Sequence, residues 1–410
     1  MTSSRAPYLD YSRSSMFTAS TPNSRSLRFL TLAQAGLFAS NGLTIPLMAN
    51  HMHTVVAAPV AIGLLFAAQQ AGGLLAPYIW GALSDRIGRR KPVIFTALAL
   101  SATSLACVAL AQHYWLMLIA QAVFGIASAG FSAGNLALVG DLIEDSQSRG
   151  RVLGLFRMSG SVAFAITAVC GGFIADAYGL WVPVALGATA QALGCLAVLG
   201  IGEATPRTEP TIASAATNDG TTSASDRRQV LLFFIVVFTW FYGMGAVAWQ
   251  WPAYMRSIGY PQSSISALWG LAALCEVPSL AVAGRLADKW GRRPFLMGSL
   301  AAQGTVYALY QFVAPTWGIV PLQMIRAMSF SSYEAPALLV ATELGLRARR
   351  GRYAGLYHTM AGFGGVVGSG VGGAIVSGWG YPFSFTIAGI LMATVAFTVA
   401  RRLPQRAPAG

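Results

Sequence analysis

At 410 residues, with 55% hydrophobic and only 10% charged side chains, the chain is too apolar and too charge-poor for a water-soluble globule, in which about a quarter of residues are charged. Its net charge of +13 would suit a nucleic-acid ligand only if it formed one patch. The Lys and Arg residues instead lie in short clusters between apolar runs, which points to lipid as the solvent and removes nucleic acid as a partner.

The first 28 residues are polar and rich in Ser and Thr, with Arg5, Arg13, Arg25 and Arg28. A tail on the cytoplasmic side, residues 1–27, is expected; the composition also fits an organellar transit peptide. A helix needs about 20 apolar residues to cross the hydrocarbon core, and twelve runs qualify. They are 28–50, 58–81, 93–111, 115–140, 152–175 and 181–201, then 229–250, 264–284, 295–313, 317–341, 352–376 and 382–400. Between the sixth and seventh, residues 203–228 are dominated by Thr, Ser, Ala, Pro and charge and read as a flexible linker. The expected fold is an all-α membrane protein of twelve transmembrane helices in two pseudo-symmetric six-helix bundles, 28–202 and 229–402, with a tail at 403–410.

Orientation follows from the basic residues, which are retained on the cytoplasmic side. Of the 27 Lys and Arg, 24 fall in the tails, the linker and the loops 81–92, 141–151, 285–293 and 343–352; the opposite loops hold Arg256 alone, and Arg157 and Arg326 lie within apolar runs. Both termini are therefore expected in the cytoplasm, in a multi-pass protein of the plasma (inner) membrane. Trp115, Trp181, Trp249, Trp251, Trp317 and Trp379 fall near the outer ends of their runs, as interfacial indoles do. Cys107, Cys170, Cys195 and Cys275 each sit in an apolar stretch without CxxC spacing, so core thiols are expected, and neither a metal nor a cofactor.

The halves repeat. Gly81-Ala-Leu-Ser-Asp85-Arg86-Ile-Gly88-Arg89-Arg90 follows the second run, and Gly284-Arg-Leu-Ala-Asp288-Lys289-Trp-Gly291-Arg292-Arg293 follows the eighth, 203 residues further on. Gly150-Arg151, Gly154-Leu155, Arg157 and Gly171-Gly172 are echoed by Gly351-Arg352, Gly355-Leu356, His358 and Gly372-Gly373 at an offset of 201. Two landmarks in each half imply duplication, the usual build of transporters, with the substrate site between the halves near the midplane. The motif glycines would permit a tight turn, Asp85 would pair with Arg89 if the loop is helical, and the Arg cluster would anchor the loop at an anionic surface.

The paired loops resemble the signature G-x-L-[AS]-D-[RK]-x-G-R-[RK] of the major facilitator superfamily, and the likeness runs from the first helix to the twelfth. It implies a secondary transporter working by alternating access, in which these loops latch the inward side shut. Gly81, Asp85, Gly88, Arg89, Arg90, Gly284, Asp288, Gly291 and Arg292 carry that role, with Asp141 as a candidate partner. A basic anchor that enforces topology explains the charges but not the fixed Gly and Asp spacing. Two departures weaken a drug/proton antiporter: Ser161 to Gly172 lacks the Pro of the Gly-Pro motif, and Gln121 stands near the position of the usual fourth-helix Arg.

Glu276, Arg326 and Glu334 lie inside apolar runs, where each charge costs roughly 2.5 to 3.5 kcal/mol. Glu276 and Arg326 sit near mid-depth, either as a static ion pair or as cavity ligands. Glu276-Val-Pro278 resembles the eighth-helix Glu-[Ile/Val]-Pro of bacterial sugar efflux transporters, and Arg157-Met158-Ser-Gly160 the fifth-helix segment of the lactose-permease group; both likenesses nominate substrate contacts. Arg157 could equally snorkel to the lipid surface. Glu334, Glu276 and His358 are candidate proton carriers. Asn41, Gln69 and Gln250 are further candidate substrate ligands, and Gln70, Asn135 and Gln311 are weaker ones.

Gly368-Ser-Gly370-Val-Gly372-Gly373 satisfies GxGxxG without a preceding strand, so close helix packing explains it better than a dinucleotide. Gly130-Phe-Ser132-Ala-Gly134 matches a nucleophile elbow by letters alone. The expectation is therefore a transporter and no enzyme: a monomeric, proton-coupled or facilitative carrier of a small polar solute, perhaps a sugar. A multidrug exporter is the alternative, and a membrane sensor or lipid-processing enzyme the reading from another class.

Overall fold

The computed structural model describes residues 22–87, 89–142, 149–202, 224–312, 317–343 and 350–403. Among them every regular element is helical, as a bilayer demands: a helix satisfies its own backbone, so long apolar runs fold no other way in lipid. In chain order the helices are α1 (Pro22–Thr44), α2 (Met48–His53), α3 (Pro59–Ile87), α4 (Arg90–Leu110), α5 (Tyr114–Leu142), α6 (Arg149–Tyr178) and α7 (Trp181–Leu199). Then follow α8 (Ala224–Gly243), α9 (Trp251–Ser257), α10 (Gln262–Trp290), α11 (Arg293–Leu309), α12 (Ile319–Glu343), α13 (Arg350–Trp379) and α14 (Tyr381–Thr398).

Nine of the described helical stretches are long and apolar enough to cross a membrane. The three runs that fall short are α1, which carries Arg25, Arg28, Gln34 and Asn41; α11, with 17 residues; and α12, which carries Gln323, Arg326 and Glu334. Their polar side chains lower the mean hydropathy. Boundaries also move. Helix α1 begins at Pro22 rather than 28, since Pro is pre-organised for a first turn, and α8 begins at Ala224, inside the expected linker, whose residues 203–223 lie outside the described ones.

Helix α1 packs against α6 and α7, α3 against α5, and α4 against α5 and α7; in the C-terminal set α10 packs on α12, α11 on α12 and α14, and α13 on α8. One buried apolar core draws only on residues from Phe233 onwards, and another only on residues up to Ile201. The sets meet along α3 with α13 and α6 with α10. Small residues allow this approach: a Cβ at Gly63 would lie 2.9 Å from the Gly373 Cα, and one at Gly172 2.7 Å from the Ser263 Cα. Gly368, Gly372 and Gly373 of the GxGxxG run are thus packing positions, against Tyr242, Ala246 and Gly63, whereas a Cβ at Gly370 would meet open space.

Three expectations need correction. Trp251 is buried and Trp249 turns its indole Nε1 inward, so neither is interfacial, whereas Trp115, Trp181, Trp317 and Trp379 are well exposed. Of the four thiols only Cys195 is buried, Cys107 and Cys170 being exposed on helix faces. Gly81 and Gly284 lie within α3 and α10 and make no turn; the turn falls to Gly291, at φ 85°.

Candidate functional site

Two helix breaks shape the site. Helix α1 stops before Pro46, which lacks the N–H needed to continue, and the chain resumes as α2. Helix α8 runs into a π-helical turn, Met244–Ala248, then Trp249 and Gln250, before α9. Such turns re-aim side chains. The short helices α2 and α9 touch, closing the end of the molecule opposite the basic loops.

That closure is polar and well satisfied. Asn50 Nδ2 donates to the Pro252 carbonyl at 3.2 Å and to Gln262 Oε1 at 2.7 Å, while Gln262 Nε2 donates to the Pro46 carbonyl at 3.0 Å. The Asp176 carboxylate accepts from the backbone amides of Gln262 and Ser263 at 3.0 and 2.8 Å, at the start of α10, and stands 3.7 Å from Arg256. Arg256, the lone Lys or Arg of the loops at this end, therefore has a partner. His53 Nε2 meets the Tyr381 hydroxyl at 3.2 Å, and the Val60 amide donates to Ser377 Oγ at 2.8 Å. Each of these bonds joins the N-terminal and C-terminal sets at the same end.

Beneath this roof lies a cavity of about 240 Å³, lined by Asn41, Gln69, Gln70, Ser128, Phe66 and Trp249 among others. Five of these six come from α1, α3 and α5, and Trp249 from the break after α8. Phe66 and Trp249 stack with centroids 5.6 Å apart and planes inclined by 20°. The result is one aromatic wall facing uncharged hydrogen-bonding groups. Gln250 is buried one residue beyond Trp249, and its Nε2 has no partner among the described residues.

The intramembrane charges form a second group. Glu276 on α10 is within electrostatic reach of Arg326 and Glu334 on α12, and Glu334 is within reach of Arg157 on α6. Arg157 is exposed on α6 and acts on this carboxylate of the other set through space. Arg326 is buried; its Nε donates to Gln323 Oε1 at 2.6 Å and its guanidinium sits 4.7 Å from the Trp269 ring centre. Among the described residues no ion pair of 4 Å or less joins Arg326 to Glu276, so the arginine is held by a neutral amide and an aromatic face. His358 is exposed on α13 beside the Tyr357 ring, at 5.3 Å, and is not brought into this group.

In the loops, Arg292 is within electrostatic reach of Asp288, four residues earlier. Between them α10 ends, so the contact spans a turn. Arg89 is extended ahead of α4, and α3 ends at Ile87, so no continuous helix joins Asp85 to Arg89. Gly88 and the side chains of Asp85 and Asp141 lie outside the described residues. A Cβ added at Gly81 or Gly284 would meet open space.

Sequence reasoning found the charges because they interrupt apolar runs. It missed Trp249 and Phe66 as cavity walls and Asp176 as a cap. No local pattern marks them.

The profile of the MFS_1 like family matches residues 36–387. Sugar efflux transporter A of Dickeya chrysanthemi is 24% identical over 380 residues, covering 92% of this chain and 95% of that protein. Multidrug resistance protein MdtG of Citrobacter koseri is 26% identical over 386 residues, covering 89% and 92%. The crystal structure of the nucleoside transporter NupG superposes with a TM-score of 0.77 at 14% identity, covering 92% of this chain and 99% of that one.

Proposed function

The chain belongs to the MFS_1 like family, and from that premise we propose a secondary transporter of twelve membrane spans in two halves, 28–202 and 229–402, that moves a small polar solute of the sugar class by alternating access. The observation that carries the solute class is the cavity: Asn41, Gln69, Gln70 and Ser128 offer neutral donors and acceptors opposite the Trp249 and Phe66 rings. Hydroxyl-rich solutes need this combination, since amides exchange hydrogen bonds with hydroxyls while aromatic faces cover C–H surfaces. The similarity to a sugar efflux transporter supports it.

Gln250, one residue beyond Trp249, is assigned to solute contact, and so is Arg157, which lies within electrostatic reach of Glu334 rather than on the cavity wall. Glu276 and Glu334 carry the coupling proton, with Arg326 compensating their charge and His358, exposed on α13 outside this group, as a third carrier. The loops at Gly81 to Arg90 and Gly284 to Arg293, with Asp141, latch the cytoplasmic side in the state opposite to the one described, in which the polar bridges close the outer end. Both termini are cytoplasmic in this reading, because the basic loops flank them.

Reconstitution in liposomes tests it: labelled neutral sugars, nucleosides and lipophilic cations are screened with and without a pH gradient. Sugar flux that follows the gradient is expected. Flux of lipophilic cations alone would favour the second reading, a drug exporter, which the MdtG similarity supports. No flux of any solute would overturn both.

A further inference from the structure

Beyond the solute path, a groove of about 420 Å³ runs down the outside of the C-terminal set between α11 and α12. Trp290, Phe295, Gly298, Ile325 and Met328 line it. Trp290, Met328 and Ile325 are 62%, 55% and 44% exposed, which places the groove on the surface that lipid covers. Its floor is Gly298, where an added Cβ would have nothing within 4 Å. From Pro294 to Ala302 it follows α11 for about 12 Å at the helical rise, most of one leaflet's share of the roughly 30 Å hydrocarbon core.

Two basic residues adjoin the groove's lining in sequence, next to Trp290 and Pro294. Lys289 directly precedes Trp290, and Arg293 directly precedes Pro294 where α11 begins and its amides point outward. Neither cation has an ion pair or hydrogen bond among the described residues. The nearby Asp288 carboxylate is within reach of Arg292, which offsets its repulsion of an anion.

We propose that this groove is a binding site for an anionic phospholipid, one acyl chain lying over Gly298 between α11 and α12 and the phosphate seated between Lys289 and Arg293. A neutral phospholipid fills the groove equally well but gains nothing at its mouth. A basic residue near a membrane surface favours an anionic headgroup enough that removing two lowers retention roughly thirtyfold. The site rests on membrane insertion alone and is indifferent to the transported solute.

The test uses the full chain in nanodiscs with a phosphatidylglycerol probe that carries a photoactivatable acyl chain, and peptide mapping of the labelled residues. Labelling is expected to concentrate on 290–302 and 325–332, to be competed by unlabelled phosphatidylglycerol and only weakly by phosphatidylcholine of the same chains. Gly298→Leu, which fills open space, should abolish it, and Lys289→Gln with Arg293→Gln should reduce it strongly. Labelling spread evenly over the lipid-facing surface, equal competition by phosphatidylcholine, or a crosslink to a second copy at these segments would overturn the proposal. If the Gly298 variant fails to fold, the charge variants decide alone.

Discussion

The Asp176 carboxylate accepts a hydrogen bond from the Ser263 backbone amide at 2.8 Å, tying the end of α6 to the start of α10. Those first amides have no partner within their own helix, so a carboxylate there satisfies donors and meets the positive end of the helix dipole. Loss of such a cap costs on the order of 1 kcal/mol. Arg256, 3.7 Å away and half exposed, adds little. Asp176→Ala should therefore open the outer end severalfold more often, raising the labelling rate of a single cysteine placed at Ala49, which is buried in α2. Arg256→Gln should change it much less. An unchanged rate in Asp176→Ala would remove this cap from the closure.

The second bridge responds to pH. Burial holds the His53 imidazole below its ordinary value of 6.5, while its Nε2 faces the Tyr381 hydroxyl. Its pKa is depressed in the closed state, so the opened state takes up a proton more readily. Closure is thus unaffected well above pH 6.5 and weakens as pH falls through and below that value. Outer accessibility measured from pH 8 to pH 5 is expected to rise on acidification, and His53→Gln should flatten that part of the rise. An identical profile in the variant would rule His53 out.

Much of the site was legible because lipid makes polarity conspicuous. Glu276, Arg326, Glu334 and Arg157 stood out as charges within apolar runs, and the structure brings them into one electrostatic group. Asn41 and Gln69 stood out in the same way and line the cavity. The remainder depends on partners far apart in sequence. Asp176 looks like any charge at the end of a span until the α10 amides, 86 and 87 residues on, are in view. Trp249 looks interfacial because composition places it at a span end, and only the π-helical turn rotates it onto Phe66. The motif glycines looked like turn formers, but α3 runs through Gly81, and α10 runs through Gly284 and turns at Gly291.

For the charged group, Glu276→Gln separates two roles. A proton carrier that loses its carboxylate should lose accumulation driven by a pH gradient and keep solute exchange at zero gradient. A solute ligand should lose both. The proposed coupling role predicts at least a tenfold loss of driven accumulation with exchange retained, since a neutral amide cannot cycle a proton. Driven accumulation at the wild-type level would sink both roles.

In the proposed carrier, which opens to one side at a time, solute is held by neutral amides opposite an aromatic wall. Counterflow in proteoliposomes preloaded with unlabelled neutral sugar measures this without any assumption about the coupling ion. Transient uptake of labelled sugar by the wild type is expected, and its loss in Gln69→Leu and Trp249→Ala, with both variants still inserted and folded. Counterflow of sugar that persists undiminished in both variants, or none in the wild type, would contradict it.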